Sequence, residues 1–179
     1  MNYKYHQPYH WQNLMPNRYN DTGHGTYPQD YNWFNYGNNP YEQNKIRDYG
    51  QQPLVINIDQ AAKQNNNYRT ALWTGKHLQV TLMSINVGDS IGLEVHPTTD
   101  QFIRIEEGQG LVQMGNKKDH LDFQVMAYRD YAIIIPAGTW HNVINSGHAP
   151  LKIYVIYAPP EHPFGTVHET KAIALSAER

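Results

Sequence analysis

The stretch "LEVHPTTDQFIRIEE" carries Glu94 and His96 two residues apart, with Gln101 a short turn later. On an extended strand, residues i and i+2 share a face, so the carboxylate and the imidazole point the same way. Within "DQFIRIEE" the set Gln101, Ile103, Ile105 is apolar after its first member, whereas Asp100, Phe102, Arg104, Glu106 is mostly charged. The first set is expected to face the core. That puts Gln101 inside with Glu94 and His96 and turns Asp100 outward. A further imidazole comes from "IIIPAGTWHNVIN", where Pro136-Ala137-Gly138 reads as a turn and His141 opens the next strand. An antiparallel neighbour with this face inward brings His141 beside His96. Two imidazoles, one carboxylate and one amide oxygen suit a borderline divalent ion, Zn(II), Mn(II) or Fe(II). Such an ion polarises a substrate oxygen or acidifies a bound water. Two histidines and a carboxylate are also the ligand types of facial-triad iron sites.

These residues need a scaffold of short strands. "LQVTLMSI" (78–85), "IGLEVH" (91–96), "QFIRIEE" (101–107), "GLVQMG" (110–115), "LDFQVMAY" (121–128), "YAIIIPAG" (131–138), "WHNVIN" (140–145) and "LKIYVIYAPP" (151–160) follow one another with turns between. Short strands at about 8–12-residue intervals, with no long helical pattern among them, indicate an all-β barrel or sandwich. Upstream, "PLVINI" has strand composition, and Asp59 is placed to cap a short helix over "QAAKQN". "HETKAIALSAER" is expected to end the chain as a short helix with Ile173 and Leu175 partly covered. Tyr128, Tyr131, Tyr154 and Tyr157 read as ordinary strand residues. Asn145 reads as a turn or backbone partner, and Trp140 as packing at the barrel mouth. "APPEHPFGTVHET" reads as a proline-rich surface crossing, with Glu161, His162 and His168 as an alternative cap over the pocket.

The two site-bearing stretches resemble the motifs of the cupin superfamily. In the first, usually G-x5-H-x-H-x3-4-E-x6-G, Gly88, His96 and Gly108 hold their places. Glu94 stands where the first histidine is expected and Gln101 where the glutamate is. In the second, usually G-x5-P-x-G-x2-H-x3-N, Pro136, Gly138, His141 and Asn145 match, and Asp130 replaces the glycine. The resemblance covers roughly residues 70–160. It implies an antiparallel jelly-roll barrel with a metal pocket inside, and often a homodimer. The chain is similar to compact bacterial cupins labelled mannose-6-phosphate isomerase-like. Both replacements at the ligand positions donate oxygen, so a metal ion remains the expected cofactor, held by Glu94, His96, Gln101 and His141.

Composition bounds the rest. The 179 residues suit one domain with an appendage, divided here as a 1–50 tail and a 51–179 barrel with its C-terminal extension. The formal net charge of -2 argues against a nucleic-acid partner. No apolar run approaches a membrane span, and "MNYKYHQPYHWQN" lacks the apolar centre of a secretory signal. The absence of cysteine excludes thiolate ligands and cysteine nucleophiles. Residues 1–50 hold nine of the 14 tyrosines, with Leu14 and Ile46 as their only branched aliphatics. Such a segment is expected to be mostly disordered. Its alternation of polar and aromatic residues is that of a sticky tail. His6, His10 and His24 show no ligand spacing and read as solvated.

Two function classes follow. One is a metal-dependent enzyme acting on a small oxygen-rich molecule, such as a sugar phosphate, with Arg104, Lys117, Lys118 and Lys152 as candidate phosphate partners. Oxygen-dependent chemistry at iron is its variant. The other is a non-catalytic barrel that displays the tail in a larger assembly of the spore-coat kind, which the tail resembles in composition. A cytoplasmic location goes with the first reading and a spore-coat location with the second.

Overall fold

The computed structural model describes residues 46–177. In chain order the elements are α1 (Ile58–Gln64), β1 (Arg69–Thr74), β2 (Gln79–Ile85), β3 (Asp100–Glu107), β4 (Gln109–Gly115), β5 (Phe123–Tyr128), β6 (Ala132–Ile135), β7 (Trp140–Asn145), β8 (Leu151–Ala158), β9 (Val167–His168) and α2 (Lys171–Ala177). One sheet runs β6-β3-β8-β2-β1-β9 and the other β5-β4-β7. Every strand pair is antiparallel. This is the expected jelly-roll, with a short C-terminal helix. Among the described residues no helix is long and apolar enough to cross a membrane.

Alternation in the sequence decides what fills the space between the sheets. Ile103 and Ile105 of β3, Ile153 and Val155 of β8, Met83 and Ile85 of β2, and Val143 of β7 are buried in one cluster. Each contributes about 1.5–3 kcal/mol of transfer free energy. The opposite face of the larger sheet has its own cover. Ala61 and Ala62 of α1 pack on Leu72 and Leu82, joined by Ile46, Tyr49, Ile56 and Ile58. Of the expected 1–50 tail, residues 1–45, with His6, His10 and His24, lie outside the described residues. Ile46 and Tyr49 lie against the barrel, and Tyr49 N–H donates to Leu72 O at 2.9 Å.

Several expectations are corrected. "PLVINI" is not a strand. Its Val55 is 93% exposed, and Asn57 caps α1 by accepting from Gln60 N–H, which draws Ile58 into the helix. The cap is therefore Asn57, not Asp59. "IGLEVH" is not a continuous strand either. Gly92 takes φ 96°, a left-handed conformation that interrupts extension, so the segment meets β7 only at Ser90↔Ile144 and Glu94↔His141. In α2 the docked residue is Ala174, whereas Ile173 and Leu175 are exposed. Glu106, in the charged set of β3 expected to face away from the barrel interior, is nonetheless buried where β3 runs beneath α1. Asp130, in the place of the motif's glycine, keeps the left-handed backbone with φ 70°. Aspartate tolerates that region better than most residues, and its Oδ1 accepts from Arg104 Nη2 at 2.8 Å.

Candidate metal centre

Backbone pairing builds the centre. Glu94 and His141 exchange both hydrogen bonds, Glu94 N to His141 O at 3.0 Å and His141 N to Glu94 O at 2.9 Å. Two residues 47 positions apart are thereby set side by side. His96 is held by the turn that precedes β7. Gly138 N–H donates to His96 O at 2.8 Å, with Gly138 at φ 79°, a conformation that favours glycine. Asp100, facing outward as expected, accepts from Ala137 N–H at 2.9 Å and braces the same turn.

The side chains converge on one oxygen. Glu94 Oε1 lies 3.3 Å from His141 Nε2 and 3.4 Å from His96 Nε2. One ligand atom from each of Glu94, His96 and His141 falls within 4.8 Å of the others. Each imidazole is oriented through its second nitrogen. His141 Nδ1–H donates to Thr139 O at 2.8 Å. His96 Nδ1 lies 3.1 Å from Glu161 Oε1. With its Nδ1–H committed to a carbonyl, a neutral His141 turns its Nε2 lone pair toward the Glu94 carboxylate. A cation among the three atoms would resolve that opposition.

The electrostatics agree. Burial works to raise the Glu94 carboxyl, but hydrogen bonds and charge from His141 and His96 hold it down at about 2. Burial works to lower His96, and Glu94, followed by Glu161, raises it above its ordinary value. The carboxylate is thus ionised and its neighbours favour positive charge beside it.

Gln101 is buried on the inner face, opposite Tyr157 of β8. Its Oε1 has no hydrogen-bond partner. An orphaned buried amide oxygen costs free energy unless something polar meets it, and a divalent ion accepts such a donor. The residues present therefore fit the ion that the sequence led one to expect. Asn145 is a backbone partner, donating to Ile85 O and Ala149 O and accepting from Gly147 N–H.

The segment after β8 is more than a surface crossing. Glu161 reaches His96, and His162 stacks edge-on against Tyr157 with ring centroids 5.1 Å apart. Gln79 holds it there, donating from Nε2 to His162 O at 2.9 Å and accepting His162 N–H at 3.0 Å. Two of the candidate phosphate partners belong elsewhere. Arg104 is bound to Glu106 and Asp130, and Lys152 donates to Asn65 O and Asn66 Oδ1 near the end of α1. Lys118 sits 5.7 Å from the centroid of the Trp140 ring. Sequence reasoning missed Arg69, buried on the inner face of β1. The signal was its parity with Ala71, a small apolar residue, in "RTALWT".

Comparison with known proteins places the fold and its motifs. Residues 81–157 match the family model described as Cupin domain. The chain is 67% identical over 133 residues to "Uncharacterized protein YrkC" of Bacillus subtilis (strain 168), covering 74% of this chain and 72% of that one. It is 40% identical over 119 residues to "Uncharacterized protein L612" of Acanthamoeba polyphaga mimivirus, covering 65% of this chain and 71% of that one. Among solved structures, BH2720 from Bacillus halodurans superposes with a TM-score of 0.73 at 64% identity, covering 73% of this chain and 99% of that one. A double-stranded β-helix domain from Klebsiella pneumoniae, 19% identical with a TM-score of 0.50, covers 66% of this chain and 100% of that one and shares the fold. The chain belongs to the cupin superfamily.

Proposed function

We propose that the barrel binds a divalent metal ion through Glu94, His96 and His141, with the Gln101 amide oxygen as a further donor, and acts on a small oxygen-rich metabolite. The observation that carries this reading is the meeting of two imidazole Nε2 atoms on one carboxylate oxygen, each imidazole fixed through its other nitrogen. Metal-binding histidines are ordinarily held this way. A bound ion would supply Lewis-acid polarisation of a substrate oxygen. The protein residues do the rest. Thr139 and Glu161 orient the imidazoles, and Tyr157 packs edge-on between His96 and His162. Glu94, committed to the ion, is not the proton acceptor.

Elemental analysis of protein expressed with supplemented zinc, manganese and iron tests the assignment. Stoichiometric metal is expected in the wild type and its loss in Glu94→Ala, His96→Ala and His141→Ala. Metal-free wild type, or variants that keep full metal, would overturn it. The ligand types also suit iron-dependent oxygen chemistry, which oxygen consumption by the iron-loaded protein would reveal. The mannose-6-phosphate isomerase-like reading retains Lys117 and Lys118 as its candidate phosphate anchors.

A further inference from the structure

The inner face of the smaller sheet carries two kinds of side chain at one level. Glu94 pairs with His141, His141 of β7 pairs with Met114 of β4, and Met114 pairs with Phe123 of β5. Directly paired residues present their side chains to the same face. The row Glu94, His141, Met114, Phe123 therefore runs from the metal ligands straight into apolar side chains. Neighbouring strands lie about 4.8 Å apart, so Met114 is one such step from His141 and Phe123 is two. Val125, on the same face of β5 as Phe123, pairs with Val112.

Parity and exposure disagree along β5, and the disagreement marks an opening. Ala127 of β5 and Val112 of β4 are 3% and 2% exposed and belong to the core. Val125 and Phe123 share the face of Ala127, yet they are 44% and 52% exposed. Met114 is partly buried and packs against the core. The interior is thus closed at Ala127 and open to solvent at Phe123, at the level of the metal ligands. β5 is an outer strand of its sheet, so no strand of that sheet lies beyond Phe123 and Val125. The larger sheet shows the same division, since Gln101 has Tyr157 on one side and Ile135 of β6 on the other.

Half-exposed apolar side chains on an inward face gain when something apolar covers them. A few convergent polar groups beside an apolar wall are the ordinary make-up of a small-molecule site. Here the polar groups are gathered at one end of the row, and Met114, Phe123 and Val125 offer no hydrogen-bonding group of note. A matching ligand has its oxygens at one end and hydrocarbon at the other. A molecule with hydroxyls along its whole length would set some of them against this wall without partners.

We infer that Met114, Phe123 and Val125 form the specificity wall of the metal centre, and that its substrate class is a small molecule with oxygens gathered at one end and a branched or aromatic hydrocarbon body. The oxygens go to the ion and the body lies along β4 and β5. The inference rests on the metal reading for the anchoring of the oxygens and on strand register and exposure for the wall.

Calorimetric titration of the full chain, zinc-loaded and metal-free, tests it with hydroxy acids that share one head and differ in body: lactate, glycerate, 2-hydroxy-4-methylpentanoate and 3-phenyllactate. The two acids with hydrocarbon bodies are expected to bind the zinc-loaded wild type about tenfold more tightly than lactate or glycerate, the effect of covering roughly 60 Å² of apolar surface. Phe123→Ser combined with Val125→Thr is expected to abolish that preference with zinc content unchanged. Ile134→Ser, at a residue exposed between the buried Ile133 and Ile135, is expected to keep it. Equal binding of the four acids, binding of none, or a folded double variant that retains the preference would overturn the inference. So would a wild-type dimer, seen by analytical ultracentrifugation, that the double variant dissociates with no change in acid preference, since the face would then belong to a second copy. A chain that takes up no zinc yet still prefers the longer acids through Phe123 and Val125 would refute the metal centre and support the wall.

Discussion

Glu161 shows how much of a site can rest on a residue that ligates nothing. Its Oε1 lies 3.1 Å from His96 Nδ1, so it fixes which nitrogen of His96 carries the proton and which faces Glu94. Partners of this kind typically account for about 10–100-fold in metal affinity. Glu161→Ala is expected to lower zinc affinity within that range, measured by competition with a chelator, while Glu161→Gln, which keeps an oxygen acceptor, loses less. Equal affinity in wild type and Glu161→Ala would remove the role. The convergence of Glu94, His96 and His141 could be read from parity and spacing, as could the inward face of Gln101, because strand alternation leaves little choice of face. Glu161 could not, because no periodicity governs the loop after β8. Arg69 went unread for a different reason. A lone arginine at a strand's start is ordinarily solvated, but β1 is an inner strand here, with Arg69 paired to Met83 of β2 on one side and His168 of β9 on the other.

At the scale of elements, helix α1 against β3 is a contact of charges as well as apolar surface. Glu106 is buried there, bonded to Arg104 at 2.9 Å and close to the Asp59 carboxyl in the first turn of α1. Burial first, and then Asp59 against the pull of Arg104, raise its carboxyl above the ordinary 4.5. The folded state thus holds this proton more tightly than the unfolded chain. Stability from this group is greatest below 4.5 and declines as pH rises through the raised value. Glu106→Gln is expected to flatten that decline. Urea midpoints of wild type and variant, compared across that window, give the answer; parallel curves would contradict it. The strand pattern from 100 to 158 was legible because alternation and turn residues agree there. "PLVINI" and "IGLEVH" were misread because composition alone does not supply a partner edge, and a positive φ at Gly92 interrupts pairing that the apolar residues invite.

On the scale of the molecule, the barrel begins earlier than its composition suggests. Ile46 and Tyr49 belong to the cluster over α1. Asp48 accepts from Thr74 Oγ1 at 2.6 Å, from Gly50 N–H at 2.9 Å and from Gly165 N–H at 2.9 Å. A chain starting at 51 is therefore expected to melt at a lower temperature than one starting at 46, by scanning calorimetry under the same metal loading. Identical melting would show that these contacts contribute nothing. The contacts of Asp48 with both Thr74 and Gly165 tie the entry of the barrel to the loop that carries Glu161 and His162. That loop is held a second time by Gln79, whose amide grips the backbone N–H and C=O of His162 and does not touch its imidazole. A clamp that reads only main chain is indifferent to the side chains it presents. Residues 161 and 162 can accordingly be exchanged, in a laboratory or over descent, with the loop kept at its post. The barrel has in them a replaceable faceplate, where new chemistry can be tried without renegotiating the fold.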